Sequence, residues 1–332
     1  MEETLKNMRF PPYSKNTPEK ANYKAPKIPH NNIEEKNDGT LRENEPNILE
    51  KKFDFSAGRR RDKFNWNIAG DINGENPNIL SELSWNDLRI FQIKTDAKFI
   101  FDKKLRMEGS YGYGWIYHGD NQDSDFSGDD RTFEFSRSNN KAEGDNVLDW
   151  SAGLGYQFNL DNADYPSGSK VMLVFLAGYS CHEQNLIMTD GFQSIPAFGP
   201  FEGLNCTYQA EWKGPWLGAE VENTRGKIVS FLRFEYHWAD YFAEADWNLR
   251  DEFAHPVSFS HDAEGKGTIV AIGIGYNIKN KWLIYLKADI QDWNTYKGID
   301  RVYFSDGSTI DSRLNRVNWK SSAVMIGVRY LL

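Results

Sequence analysis

Five aspartates fall within eleven residues: Asp120, Asp123, Asp125, Asp129 and Asp130. Such a run fits three uses: half of a catalytic site, which needs a histidine to move protons; a calcium site; or a hydrated acidic loop. Oxygens at spacing two suit calcium, but the run lacks the glycine and terminal glutamate of a calcium-binding loop. A second acidic stretch, Asp240, Glu244, Asp246, Asp251 and Glu252, carries His255 beside it. His118 is the histidine nearest in sequence to the aspartates. The candidate catalytic set is therefore Asp123, Asp125, His118 and His255. His182 beside Glu183 reads as hydrogen-bonded scaffold. Cys181 and Cys206, the two cysteines, flank the segment 188–204 and are either a disulfide closing it or two free thiols. Gly109, Gly112 and Gly114 read as packing space in a strand and not as a nucleotide motif. Neither zinc spacing nor a serine-nucleophile elbow occurs, so no metal is assigned.

The elements that must position these residues are strands. In 268–278, Val270, Ile272, Ile274, Tyr276 and Ile278 alternate with Ala271, Gly273, Gly275 and Asn277. In 147–158, Leu148, Trp150, Ala152, Leu154, Tyr156 and Phe158 share one face, and Asp149, Ser151, Gly153, Gly155 and Gln157 the other. Successive strand side chains point to opposite faces, so each segment has one apolar and one polar side. Ten strands are expected, at 52–70, 79–101, 104–118, 147–160, 170–187, 205–222, 228–240, 267–278, 282–293 and 318–332. Their connections alternate: short at 102–104, 161–169, 223–227 and 279–281, long at 120–146, 188–204, 240–266 and 294–317. Short turns on one side and long loops on the other are the length signature of an outer-membrane barrel, with the long loops outward.

Composition agrees. The chain has 332 residues, 14% of them aromatic, and no run of 18 apolar residues, which excludes helical spans. A net charge of -9 argues against nucleic acid, which needs a basic face. Residues 1–50 are rich in Lys, Asn, Glu and Pro without apolar periodicity, so a disordered tail is expected there, with the barrel over 51–332. No apolar core of a secretory signal occurs in 1–49, so an export sequence is expected upstream of Met1 or removed.

Alternation alone does not say which face is outside. The polar face carries mid-strand charges of both signs: Lys94, Asp96, Lys98, Arg106, Glu108, Arg233, Glu235, Lys287, Asp289 and Arg329. The apolar face carries Trp282, Tyr276, Trp238, Trp150 and Tyr330 near strand ends, as interfacial girdles would. The apolar face is thus expected to meet lipid. A ten-stranded barrel is narrow enough for side chains to fill, so the inward charges are expected to pair and plug the lumen. The last strand, with Val324, Ile326, Val328, Tyr330 and Leu332 on one face, has the alternating end of chains inserted into outer membranes.

These residues resemble a family. Ser81-Glu82-Leu83-Ser84-Trp85 is similar to the S-x-L-x-W segment opening the second strand of omptins, the ten-stranded outer-membrane proteases. Asp123-Ser124-Asp125 falls where omptins carry a D-x-D pair in the second outer loop. Gly178-Tyr179 and the final strand align in order, and the likeness covers about 53 to 332. Closer still in texture are the omptin-fold barrels known as Protochlamydia-type outer membrane proteins, for which a channel or structural role is the usual suggestion. The omptin resemblance implies a water held between the aspartate pair and an Asp-x-His dyad in the fourth loop, attacking a peptide bond after a basic residue. Here the dyad positions hold Ala245 and Trp247, with Asp246 between them. The nearest loop histidine is His255, with Phe253 two residues before it. The pair His261–Asp262 is adjacent and points apart in a strand. The resemblance also implies that lipopolysaccharide is required.

The fold expected is all-β: a ten-stranded antiparallel transmembrane barrel in the bacterial outer membrane, in contact with its lipid and lipopolysaccharide. Three functions follow. The missing dyad favours a non-enzymatic structural barrel or adhesin meeting a host surface. The others are an endopeptidase cleaving basic peptides, drawn by an acidic rim, and a narrow channel.

Overall fold

The computed structural model describes residues 49–160, 168–279 and 281–332. The expected tail falls on 1–48 and most of the turn 161–169 on 161–167; both lie outside the described residues.

Thirteen strands make one antiparallel sheet: β1 (Glu50–Ile68), β2 (Ser81–Phe101), β3 (Leu105–Gly128), β4 (Thr132–Lys141), β5 (Asn146–Asn159), β6 (Ser169–Ile195), β7 (Gly199–Pro200), β8 (Asn205–Arg225), β9 (Ile228–Asp246), β10 (Phe259–Lys279), β11 (Trp282–Thr295), β12 (Gly298–Tyr303) and β13 (Thr309–Leu331). Ten of them form the ring β1-β2-β3-β5-β6-β8-β9-β10-β11-β13, closed where β1 pairs β13, with Phe53 opposite Tyr330 and Trp66 opposite Val317. The short strands β4, β7 and β12 extend the wall beyond the ring. The ten expected strands are all present.

Their upper limits differ from expectation. The segments expected as long loops are largely strand: β3 runs on to Gly128 and returns as β4, while β9 reaches Asp246 and β10 starts at Phe259. The reason lies in the surroundings. Within the membrane a strand turns apolar residues outward, as β9 does with Leu232, Phe234 and Trp238, all exposed. Above it the outer face meets water and carries Asp240 and Glu244, while Tyr241, Ala243 and Ala245 are buried inside. The amphipathic sense of the strand inverts at the membrane surface.

The lumen accordingly has two storeys. The lower one is ionic. Arg106 Nη1 lies 2.6 Å from Glu220 Oε1, Arg233 Nη2 2.6 Å from Glu108 Oε1, and Arg329 Nε 2.7 Å from Asp54 Oδ1. Arg60 bridges Asp62 and Asp149, each at 2.6 Å. Arg233 also contacts Glu235. Beside them lies a cavity of about 110 Å³, lined by Lys94, Asp96, Lys287 and Asp289 among others. The upper storey is an aromatic plug that charge counting does not reveal. Trp66, Trp85, Tyr208, Trp212, Tyr241, Phe259, Trp293 and Trp319 are buried in one cluster, with Trp212 and Tyr241 ring centres 4.5 Å apart and Trp293 stacked on Trp319 at 5.4 Å. The apolar rings drawn from facing walls exclude water from the lumen's outer half.

Glu220 anchors the ionic storey, its side chain 1% exposed, facing Arg106, Arg233 at 3.4 Å and Lys98 at 3.9 Å. Glu220→Ala leaves three buried cations without their common anion. We expect a loss of about 3–5 kcal/mol, read as a lower denaturant midpoint of the refolded barrel; an unchanged midpoint would refute the keystone role.

Candidate functional site

Asp123 and Asp125 owe their orientation to a bulge. Low on β3 the even residues face the lumen, Arg106 and Glu108 among them. Ile116 pairs with Ile90 and His118 with Arg89, so Tyr117 is an extra residue on β3. An added residue reverses the facing of everything beyond it. Above the bulge Asn121 pairs with Trp85, Asp123 with Leu83 and Asp125 with Ser81. Trp85 and Leu83 belong to the plug, so both aspartates turn inward at its outer end, 18 and 20 residues beyond the start of β3 at Leu105. They stand well outside the membrane.

The same bulge turns His118 to the exterior, where its Nε2 lies 3.7 Å from Asp87 Oδ2. His118 and the aspartate pair therefore occupy opposite faces. His255 follows β9 on the fourth outer connection, and its Nδ1 lies 2.6 Å from Asp246 Oδ1. That carboxylate–imidazole pair spans nine residues and follows no spacing rule. Asp246 neighbours Ala245, which is buried opposite Tyr208, so by strand alternation it shares the outer face with Glu244. The cation of the fourth connection whose charge reaches both Asp123 and Asp125 is Arg250, which sequence reasoning missed. A rim basic residue in a stretch dominated by acids was the available signal.

Burial raises the Asp123 carboxyl well above its ordinary value, and the Asp125 charge raises it further, while Arg250 opposes both. Asp123 Oδ1 is buried without a hydrogen-bond partner among the described residues. Burial also raises Asp125, against hydrogen bonds from Ser81 and Ser136. Cys206 faces the same inner wall, with Sγ 3.3 Å from Asn248 Oδ1. Burial, aided by Asp123 and Asp246, pushes its thiol up to about 11, so almost no thiolate nucleophile exists at neutral pH.

The cysteines are free thiols. Cys181 pairs with Lys213 and Cys206 with Met188, which places them at different heights on the wall and answers the disulfide alternative. Cys181, Glu183 and Glu211 bring three donor atoms within 4.8 Å of one another, but Lys213 Nζ already occupies Glu211 at 2.6 Å. The remaining described histidines have partners on the inner wall. His182 Nδ1 lies 2.8 Å from Asp149 Oδ1, His237 bridges Ser180 and Glu235, and His261 is sealed in the plug 2.8 Å from the Tyr208 hydroxyl.

Comparison with known proteins supports this architecture. The family model for the Protochlamydia outer membrane protein matches residues 54–332. A search of the curated proteins finds no match. Among solved structures, the outer membrane protease OmpT from Escherichia coli aligns with a TM-score of 0.68 at 15% identity, over 85% of this chain and 97% of that one. OprG from Pseudomonas aeruginosa aligns at 0.34 and 11% identity, over 85% of this chain and 95% of that one. The translocator domain of the autotransporter NalP from Neisseria meningitidis aligns at 0.33 and 12%, over 84% and 88%. At these identities the OmpT likeness establishes the fold alone.

A raised carboxyl has a signed consequence for stability. The folded chain keeps the Asp123 proton at pH values where the unfolded chain has released it. Stability therefore falls as pH rises above the ordinary value of 3.8 and through the raised folded value. Asp123→Asn removes that loss. The variant is expected to unfold at higher temperature than the parent at neutral pH, with the gap closing as pH is lowered towards about 4. A gap independent of pH would contradict this account.

Proposed function

Because the chain belongs to the Protochlamydia outer membrane protein family and lies in the bacterial outer membrane as a β-barrel, we propose that it is a non-enzymatic surface barrel. It serves as a structural component of the envelope whose outer hairpins act as an adhesin. The observation that carries this reading is the charge set against the aspartate pair. Arg250 reaches both carboxylates, and a guanidinium neither takes nor gives up a proton in a protein. Its charge opposes the rise of both carboxyls without cancelling it, and it cannot activate water as an imidazole would. The filled lumen, with an ionic lower storey and an aromatic upper one, speaks against a channel.

Adhesion has its own support. Phe133 and Phe198 are 79% and 80% exposed at the outer hairpins, and exposed apolar groups within a polar surround mark contact surfaces. A host surface is the partner this arrangement suits. The acidic stretches around Asp123 and Asp246 would draw basic peptides to the same mouth.

One observation favours a second reading as an omptin-type endopeptidase. Asp246 holds His255 at 2.6 Å, and an imidazole oriented by a carboxylate is the general base that peptide hydrolysis needs.

The deciding experiment uses the full chain refolded in lipopolysaccharide micelles, with folding checked by heat-modifiable gel mobility. A mixed basic-peptide library is expected to survive as intact as with an Asp123→Ala/Asp125→Ala control, and planar bilayers are expected to show no conductance above background. Cleavage abolished both by that control and by His255→Ala would overturn the non-enzymatic reading and establish the second.

A further inference from the structure

The charges of the lower lumen fall into two groups. The arginines take close contacts: Arg60, Arg106, Arg233 and Arg329 each meet a carboxylate at 2.6 or 2.7 Å. The lysines that line the cavity do not. Lys94 Nζ lies 4.0 Å from Asp96 Oδ1, Lys287 Nζ 4.0 Å from Asp289 Oδ1, and Lys98 Nζ 3.9 Å from Glu220 Oε2. A charged hydrogen bond of this kind spans about 2.7–2.9 Å, so these pairs attract across a gap. Among the described residues, neither Asp96 nor Asp289 has a cation nearer than its lysine. All of these groups border the cavity of about 110 Å³.

The wall explains the gap. In the ring order β2-β1-β13-β11, Lys94 and Lys287 stand three strands apart. Between them the inner face offers Ser56 and Gly58 on β1 and Gly327 on β13, side chains too small to fill the space. A further polar group lines the same cavity. His182 Nδ1 is held by Asp149 at 2.8 Å, while its Nε2 is buried with no hydrogen-bond partner among the described residues. A carboxylate only accepts, so Nδ1 carries the proton and Nε2 of the neutral ring is a free acceptor. Above it, Trp293 and Trp319 close the chamber, with ring centres 4.8 and 5.7 Å from that of His182.

The lining selects its ligand by charge. An anion would satisfy the lysines but press against Asp96 and Asp289; a cation would do the reverse. A neutral solute would leave all five charges without a counter-charge at bonding distance, which is costly in a low-dielectric interior. A ligand with both signs answers both sets. We propose that this chamber binds a small zwitterion, a solute of a few heavy atoms with a carboxylate at one end and an ammonium at the other, the class of the smallest free amino acids. Lys94 and Lys287 take the carboxylate. Asp96 and Asp289 take the ammonium, with His182 Nε2 as a further acceptor. The volume holds several waters or one such solute. Entry is from the periplasmic end, because the aromatic plug closes the other; the chamber retains a solute without conducting it.

The test uses the full chain, refolded in neutral detergent and checked by heat-modifiable gel mobility. It is titrated calorimetrically with glycine, with acetate and methylammonium as the two halves of that charge pattern, and with phenylalanine as an oversized zwitterion. Glycine is expected to bind saturably at about one per barrel, a single chamber being one site. Acetate and methylammonium should each bind at least about tenfold more weakly, since each leaves one set of charges unanswered. Phenylalanine should not bind. Asp96→Asn/Asp289→Asn should weaken glycine binding about a hundredfold, whereas Lys213→Gln, an exposed cation on β8, should leave it unchanged. The comparison of probes needs only the wild-type chain, so it decides the matter even if the double variant does not fold. Absence of saturable glycine binding would overturn the proposal and leave a chamber for water alone. Acetate or methylammonium binding as tightly as glycine would overturn it in favour of a site for a single charge. Phenylalanine binding equally well, or wild-type affinity in the folded double variant, would place the bound solute outside the chamber.

Discussion

A sheet in hydrocarbon has no water to satisfy an open edge, so the backbone donors and acceptors of β1 that do not pair with β2 must find β13. That closure governs the rest of the structure. The closed ring has ten strands, and ten strands leave an interior near the size that side chains can fill. The seam is tight enough to constrain single residues. A side chain at Gly58 would place its first carbon 2.1 Å from the Val324 carbonyl oxygen, so glycine is what lets β1 approach β13 at that point.

What fills the interior follows from what surrounds it. Where lipid covers the outside, apolar residues are spent on the outer face and the interior receives the charges, which can be buried only in pairs. Above the membrane the outer face meets water, and the apolar residues move in. The change is visible along single strands. On β1 the inner residues pass from Asp54, Arg60 and Asp62 to Phe64 and Trp66, and on β8 from Glu220 to Trp212 and Tyr208. The ionic storey and the plug meet where Trp319 Nε1 donates to Asp62 at 2.9 Å and Arg60 lies over the Trp319 ring at 5.3 Å. The two storeys are one answer to a solvent that changes halfway up the wall.

The same inversion explains what could be read from sequence. The segments 147–158 and 268–278 lie in lipid, where apolar and polar faces differ most, and both were legible as strands, as were the inward charges from Lys94 to Arg329. Outer β3 and β4 were not. Their outward residues, such as Asp120 and Ser127, resemble a loop's residues, and a single extra residue at Tyr117 reverses the phase needed to recognise a strand. Asp123 and Asp125 were legible by type and spacing, but their facing depended on that bulge. The contact of Asp246 with His255 and the reach of Arg250 depend on how a connection folds back, which no local period encodes.

A shared fold does not carry shared chemistry, because the ring needs only alternation and closure while a reaction needs particular atoms in particular places. At 15% identity to OmpT the ring is retained with most of its residues changed. The mouth illustrates the difference. Packing of Leu83 and Trp85 into the plug is enough to hold Asp123 and Asp125 inward, so strand register accounts for their facing. Catalysis would further require an imidazole on that same inner face. The inner histidines are committed elsewhere: His261 to Tyr208, His237 to Ser180 and Glu235, and His182 to Asp149. With ion pairs in the lower lumen and aromatic rings in the upper, the same wall that closes the ring also fills it.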